Sequence, residues 1–193
     1  MNKSLDLQID YLQTVLGQSA IISEALKRAE SLDLPSWNLG AGCISQTVWN
    51  HISGMPPHSH IKDLHLVYFD PYNLSYEAES QLVSECQEVF DGVPIMVDLK
   101  NQARVHIWHE AHFGYAIRPY RSVEDAINSW PTTATCVGVR YLHGEFEVYA
   151  PYGLNDLFGM TIKPNKVNIT EDIYIAKLTR WKDCWPQLDA VPW

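Results

Sequence analysis

Apolar positions along this chain recur with two different periods. Leu12, Val15, Leu16, Ile22 and Leu26 stand three, four or a multiple of turns apart, which predicts helix over residues 5–32, with Gly17 as a break and Pro35 as the stop. A short strand is then expected over 37–40, a small-residue turn at Gly40-Ala41-Gly42, and a helix carrying Ile44, Val48 and Ile52 that Gly54-Met55-Pro56-Pro57 stops. Residues 61–69 switch to alternation. Leu64, Leu66 and Tyr68 share one strand face, and Asp63, His65, Val67 and Phe69 share the other.

The pattern returns to helix after Ser75, a good N-cap with Glu77 and Glu79 in the first turn, where the helix dipole favours acids. Leu82, Val83, Cys86, Val89 and Phe90 are its apolar stripe, and Asp91-Gly92 its end. Residues 95–99 read as another strand, with Asp98 on the face away from Ile95, Val97 and Leu99. Ser122 and Asp125 form a capping arrangement for a helix toward Trp130, ended by Pro131. A hairpin is expected from 135–142 and 145–149 around His143-Gly144, and a last helix from Thr170. The mixed order predicts an α+β fold in one domain over 1–193: a helical segment at 1–34, a core at 35–118 and an α+β extension at 119–193.

Composition narrows the function classes. The 193 residues are 46% hydrophobic and 19% charged, as expected of a folded globular chain of 22.1 kDa. The formal net charge is −9, which argues against a broad nucleic-acid surface built from clustered Lys and Arg. No apolar run reaches membrane-spanning length and the first ten residues lack a signal core, so the expected location is cytoplasmic. Cys43, Cys86, Cys136 and Cys184 form no CxxC pair, and reduced thiols are the expectation. Eight histidines are present, but His106, His109 and His112 match neither HExxH nor a zinc-finger spacing.

Three segments carry candidate chemistry. A glycine turn between strand and helix, residues 40–45, lets backbone amides approach a phosphate, with Gly40, Gly42 and Ser45 as candidate contacts. It lacks the Gly-Lys-Ser/Thr of a P-loop, and read alone it is simply a tight turn. Asp63 and His65, two apart on a strand, point the same way and can reach one metal ion. One acid with one imidazole suits manganese or zinc better than magnesium, and on spacing alone a polar face or an Asp–His hydrogen bond is the simpler account. Asp98 would complete an oxygen-rich cluster if its strand lies beside that of Asp63, with Lys100 and Arg104 facing phosphates. A local pair of Asp98 with Lys100 or Arg104 explains it equally.

The stretches WNLGAGCISQTVWNHISG, KDLHLVYFD, VDLKNQARVHIWH, WPTTATCVGVR, VYAPYGLNDLF and KPN resemble a bacterial family of nucleotidyltransferase-like proteins of the polymerase-beta-type superfamily. The resemblance runs from about Pro35 to the C-terminus. It implies a small mixed sheet flanked by helices, carrying a glycine turn, an Asp-x-Asp strand and a third acid on a neighbouring strand. It further implies a divalent metal, Mg or Mn, held by Asp63 and Asp98, and transfer of a nucleotidyl group from an NTP to an unidentified acceptor with release of pyrophosphate. His65 departs from the pattern, standing where the second acid belongs. The departure leaves two expectations side by side: transfer with His65 as an atypical ligand, or a degenerate module that binds a nucleotide or a partner without turnover.

Overall fold

The computed structural model describes residues 4–193. Two helices, α1 (Leu5–Gly17) and α2 (Ala20–Ser31), open it, separated at Gly17 as the sequence predicts. Ser19 caps α2 by accepting from the Ile22 amide at 3.3 Å, which stabilises such an end by about 1 kcal/mol. Then come β1 (Asn38–Gly40), α3 (Gly42–Ile52), β2 (Asp63–Tyr68), α4 (Tyr76–Val89) and β3 (Met96–Asn101). Ser75 caps α4 through the Ala78 amide at 3.2 Å, with Glu77 and Glu79 in its first turn.

Beyond β3, a 3₁₀ turn (Gln102–Arg104) leads into α5 (Val105–Phe113). The sequence pattern leaves α5 unassigned, because its apolar residues do not form a stripe. Gly114 ends it in the left-handed conformation at φ 82°. A short helix, α6 (Val123–Ile127), follows the expected Ser122 cap on the Asp125 amide. The hairpin is β4 (Gly138–Leu142) and β5 (Glu145–Tyr149). It begins three residues later than predicted, because residues Thr133–Thr135 close a 3₁₀ turn with the Thr135 amide on the Thr132 carbonyl at 3.0 Å. The tail contains α7 (Asn155–Phe158), β6 (Thr161–Ile162), α8 (Glu171–Cys184) and β7 (Asp189–Ala190).

The main sheet has the order β3-β2-β1-β4-β5, parallel only between β2 and β3. It is thus a mixed sheet, and α4 makes the crossover that a parallel pair requires. β6 and β7 pair separately in parallel. One side of the sheet buries Leu39, Leu64, Leu66 and Leu99 against α1–α4. On the other side Val67 packs with Val123, Ile127, Trp130 and Cys136. His65, two residues before Val67 on the same strand face, lies beside this cluster against Trp130.

The tail docks through tryptophan. Trp181 and Trp185 of the α8 segment each meet Trp49 of α3 edge-on, with centroids 5.4 Å apart. Asn50 ties the junction: its buried amide donates to the Pro57 and Ser59 carbonyls at 3.1 and 2.8 Å and accepts from Trp185 Nε1 at 2.9 Å. This fixes the loop that delivers Lys62 and Asp63 and holds α8 over the start of α3. Among the described residues no helix is long and apolar enough to cross a membrane.

Candidate functional site

Two cavities meet at His65. The larger, about 470 Å³, is lined at its base by Ala41, Gly42 and Cys43 where α3 begins, and on one side by Lys62 and Asp63. Lys177, Arg180 and Trp181 of α8 form the opposite wall. In a chain of net charge −9, this cavity gathers Lys62, Lys177 and Arg180 against the single carboxylate of Asp63. None of these four forms an ion pair within 4 Å among the described residues. Burial, and after it Arg180, push the Lys177 ammonium below its ordinary value, with Asp63 opposing.

The start of α3 is built for a close approach. Ala41 sits at φ 56° and ψ −127°, a positive-φ conformation that alanine adopts only under strain of order 1–3 kcal/mol. His60, on the same cavity, also has positive φ at 62°. Ala41 offers no side-chain cap, so the first-turn amides, Gly42 among them, keep donors that the helix itself does not use. Two further polar atoms, Gln46 Oε1 and Trp181 Nε1, are buried without a hydrogen-bond partner in side chains that line this cavity. Cys43 also lines it, but its thiol donates to the Gly40 carbonyl at 3.1 Å, and burial pushes it up to about 12. It is no nucleophile.

The glycine turn divides its tasks differently from the sequence reading. A Cβ on Gly40 would lie 2.7 Å from the Trp130 ring and 2.6 Å from the Val137 carbonyl. Gly40 therefore makes room for Trp130, which lies edge-on to His65 with centroids 5.4 Å apart. Ser45 is fully buried and donates to the Ala41 carbonyl at 2.9 Å, so its hydroxyl serves the turn and lies on neither cavity. Gly42 is on the cavity surface.

Asp63 and His65 share a face of β2, and His65 pairs in register with Asp98 of the parallel strand β3. His65 Nδ1 is 3.4 Å from Asp98 Oδ2, and Lys100 Nζ is 2.9 Å from Asp98 Oδ1. Contact with His65, then with Lys100, holds the Asp98 carboxyl well below the usual carboxylate range, although burial works the other way. A divalent cation of the kind the sequence resemblance implies needs converging hard oxygen donors. The three side chains do not supply them: among the described residues no three His, Cys, Asp or Glu groups form a metal-holding cluster. Asp98 is committed to His65 and Lys100, which leaves Asp63 as the open carboxylate.

Arg104 is not brought to either cavity. It is buried and tied to α4, ion-paired with Glu79 and donating to the Leu74 carbonyl at 2.8 Å. Its neighbours in NQAR act alike. Asn101 donates to the Asp70 carbonyl at 2.9 Å and accepts from the Asp70 amide at 3.1 Å. Asn165 of KPN holds the carbonyls of Asn128 and Trp130 at 2.7 and 2.8 Å, and Asp156 of the DLF stretch pairs with Lys163 at 2.7 Å. These motifs are clamps that place Trp130 and the strands. The residues that sequence reasoning missed, Lys177, Arg180, Gln46 and Trp130, come from segments far apart in the chain. The basic pair in α8 carries no motif that would have found it.

The matches with known proteins agree with this architecture. A family model described as nucleotidyltransferase matches residues 27–190. The chain belongs to that nucleotidyltransferase family. A solved structure, described as an NMR structure revealing a CCA-adding enzyme head domain, superposes with a TM-score of 0.78 at 28% identity. The match covers 94% of this chain and 95% of that one. No curated protein matches. The fold is that of a polymerase-beta-type nucleotidyltransferase, and family and fold together support nucleotidyl transfer as the general activity.

Proposed function

We propose that this protein binds a nucleoside triphosphate in the larger cavity and transfers its nucleotidyl group to an acceptor. One observation carries the reading: the amide-bearing start of α3 and three cations, Lys62, Lys177 and Arg180, face one cavity of a strongly acidic chain. Helix amides and unpaired cations are what a polyphosphate requires. The unpartnered Gln46 Oε1 and Trp181 Nε1 offer an acceptor and a donor for the remainder of the nucleotide. In this reading Gly42, Lys62, Lys177 and Arg180 hold the phosphates, Asp63 is the open carboxylate beside them, and His65 stands behind the reacting phosphorus.

A second reading, a module that binds the nucleotide without turnover, is favoured by the commitment of Asp98 to Lys100 and His65. The two readings separate in one experiment. Calorimetry with NTPs should give saturable binding in both. Pyrophosphate release from α-labelled NTP, with Mg²⁺, with Mn²⁺ and with chelator, then distinguishes them. The acceptors tried should include an RNA 3′ end, which the neighbour's CCA-adding description suggests. Absence of NTP binding under all three conditions would sink both readings.

A further inference from the structure

The second cavity, about 250 Å³, lies on the far side of the wall formed by His65 and Trp130. His65, Trp130, Pro131 and Lys177 line both cavities, so a molecule in one is separated from a molecule in the other by one side-chain layer. The chemistry of the two differs. Where the first presents cations, the second presents rings: Trp108, Phe113, Tyr115 and Tyr120, with Ile169 and Ile173 closing it. Its hydroxyls are already engaged, Tyr120 with Ser129 at 2.7 Å and with Asn168 at 3.1 Å, and Tyr115 with the Asn168 carbonyl at 2.6 Å. The other polar groups on it are His65 and Lys177 at the dividing wall, the Asp98–Lys100 pair, Gln102, and His109, whose Nδ1 lies 2.9 Å from the Tyr115 carbonyl.

We propose that this second cavity is the acceptor pocket, and that the acceptor is a small hydroxyl-bearing compound built on one aromatic ring. The inference rests on the NTP reading of the first cavity. Size sets the class. A dry cavity of about 150 Å³ holds benzene, and drug-sized ligands need about 300 Å³ or more, so 250 Å³ fits one substituted ring. Aromatic walls favour an aromatic guest through offset or edge-on contacts. A nucleic-acid polymer is disfavoured by the net charge of −9.

The step that follows is balanced. The acceptor oxygen attacks the α-phosphorus, and the bond from that phosphorus to the β-phosphate bridging oxygen breaks. Pyrophosphate leaves with that electron pair. The hydroxyl proton passes to His65 Nε2, the ring nitrogen that does not face Asp98. No oxidant or reductant is needed.

The full chain is titrated with tyramine, 4-hydroxybenzoate and pyridoxine, alone and with α,β-methylene-ATP at saturation. The expected result is saturable binding of at least one ring compound, with an affinity that changes less than twofold when the nucleotide analogue is present. Ile173→Trp, which fills the cavity from its half-buried rim, should lower that affinity at least tenfold and move analogue affinity less than twofold. Phe113→Ala, at a partly exposed wall position, should weaken the same compound and serves if the first variant folds poorly. With α-labelled ATP, label should appear on the bound compound. Mutual exclusion of compound and analogue would overturn the proposal, making the cavity a base subsite. Failure of all three compounds to bind would also overturn it, as would an RNA 3′ end that accepts label equally well in Ile173→Trp. Ring binding without any nucleotide binding would overturn nucleotidyl transfer itself, and the acceptor role with it.

Discussion

His65 and Asp98 stand directly opposite each other on the parallel strands β2 and β3, with His65 Nδ1 3.4 Å from Asp98 Oδ2. The position that the Asp-x-Asp pattern reserves for a second carboxylate therefore holds the partner of the third. The arrangement is a wall between two cavities and not a cation cluster. It predicts that His65→Asp places two carboxylates side by side, a like-charge pair that costs about 1 kcal/mol. The melting temperature should fall by roughly 2–4 °C in chelator. It should recover with Mn²⁺, while the native chain shows no such response. A melting temperature equally insensitive to Mn²⁺ in both would refute this view of the wall.

Asp98 makes stability depend on pH in a defined direction. A carboxyl held below its unfolded value, near 3.8, stabilises the fold above that pH and loses the contribution as pH falls toward the folded value. Asp98→Asn should thus destabilise at neutral pH, with a cost that shrinks below about pH 4. Because Asp98 and Lys100 are each more than a third exposed, solvent screening keeps that cost to about 1 kcal/mol. Urea unfolding of both chains across that range measures it.

Lys177 carries a charge with no ion-pair partner among the described residues, its ammonium 6.0 Å from the centre of the Trp181 ring, in a place that disfavours a charge. Lys177→Met should leave the fold at least as stable as before, because a desolvated ammonium is removed. It should weaken ATP about tenfold or more, the loss of one charge-assisted contact worth about 1.5–3 kcal/mol. Calorimetry and thermal melting on the same sample check the two halves together. A fall in both would mean that Lys177 supports structure.

Arg104 should behave in the opposite way. Its guanidinium is buried against Glu79, and Arg104→Met leaves that buried carboxylate without its charge partner, with the Asn101 amide at 2.8 Å still donating to it, a change that costs about 3–5 kcal/mol. ATP affinity of the fraction that remains folded should stay within twofold. Chemical denaturation and calorimetry decide it.

Gly40 tests the role of Trp130. Gly40→Ala sets a methyl group against the Trp130 ring and the Val137 carbonyl, an overpacking that costs roughly 1–3 kcal/mol. Quenching of tryptophan fluorescence by the ring compounds should weaken as Trp130 shifts. Unchanged stability would show that the indole has another place to lie.

Much of this molecule was legible from local pattern. The break at Gly17, the caps at Ser75 and Ser122, the alternation of Leu64, Leu66 and Tyr68 and the hairpin at His143-Gly144 depend on residues close in sequence. Asp70 accepts from the Tyr72 amide at 2.9 Å, as an Asp-Pro turn should. The quoted motifs identified the family because clamps such as Asn101, Arg104 and Asn165 each satisfy several buried groups and so require one residue type. Helix α5 escaped because its apolar positions show no single face.

The amino-acid sequence by itself determined most of the elements of the first two-thirds of the chain, α5 excepted, the family and the presence of Asp63, His65 and Asp98 on strands, since propensity, capping and side-chain period act over a few residues. Only the tertiary structure decided which charges share a cavity. It carried Lys177 and Arg180 across more than a hundred residues to the start of α3, turned Ser45 inward, gave Arg104 to Glu79 and set Asp98 against His65 and Lys100. Coulomb and desolvation energies depend on distance in space and on burial. A pattern along the chain specifies neither until the sheet has its order and α8 has found Trp49.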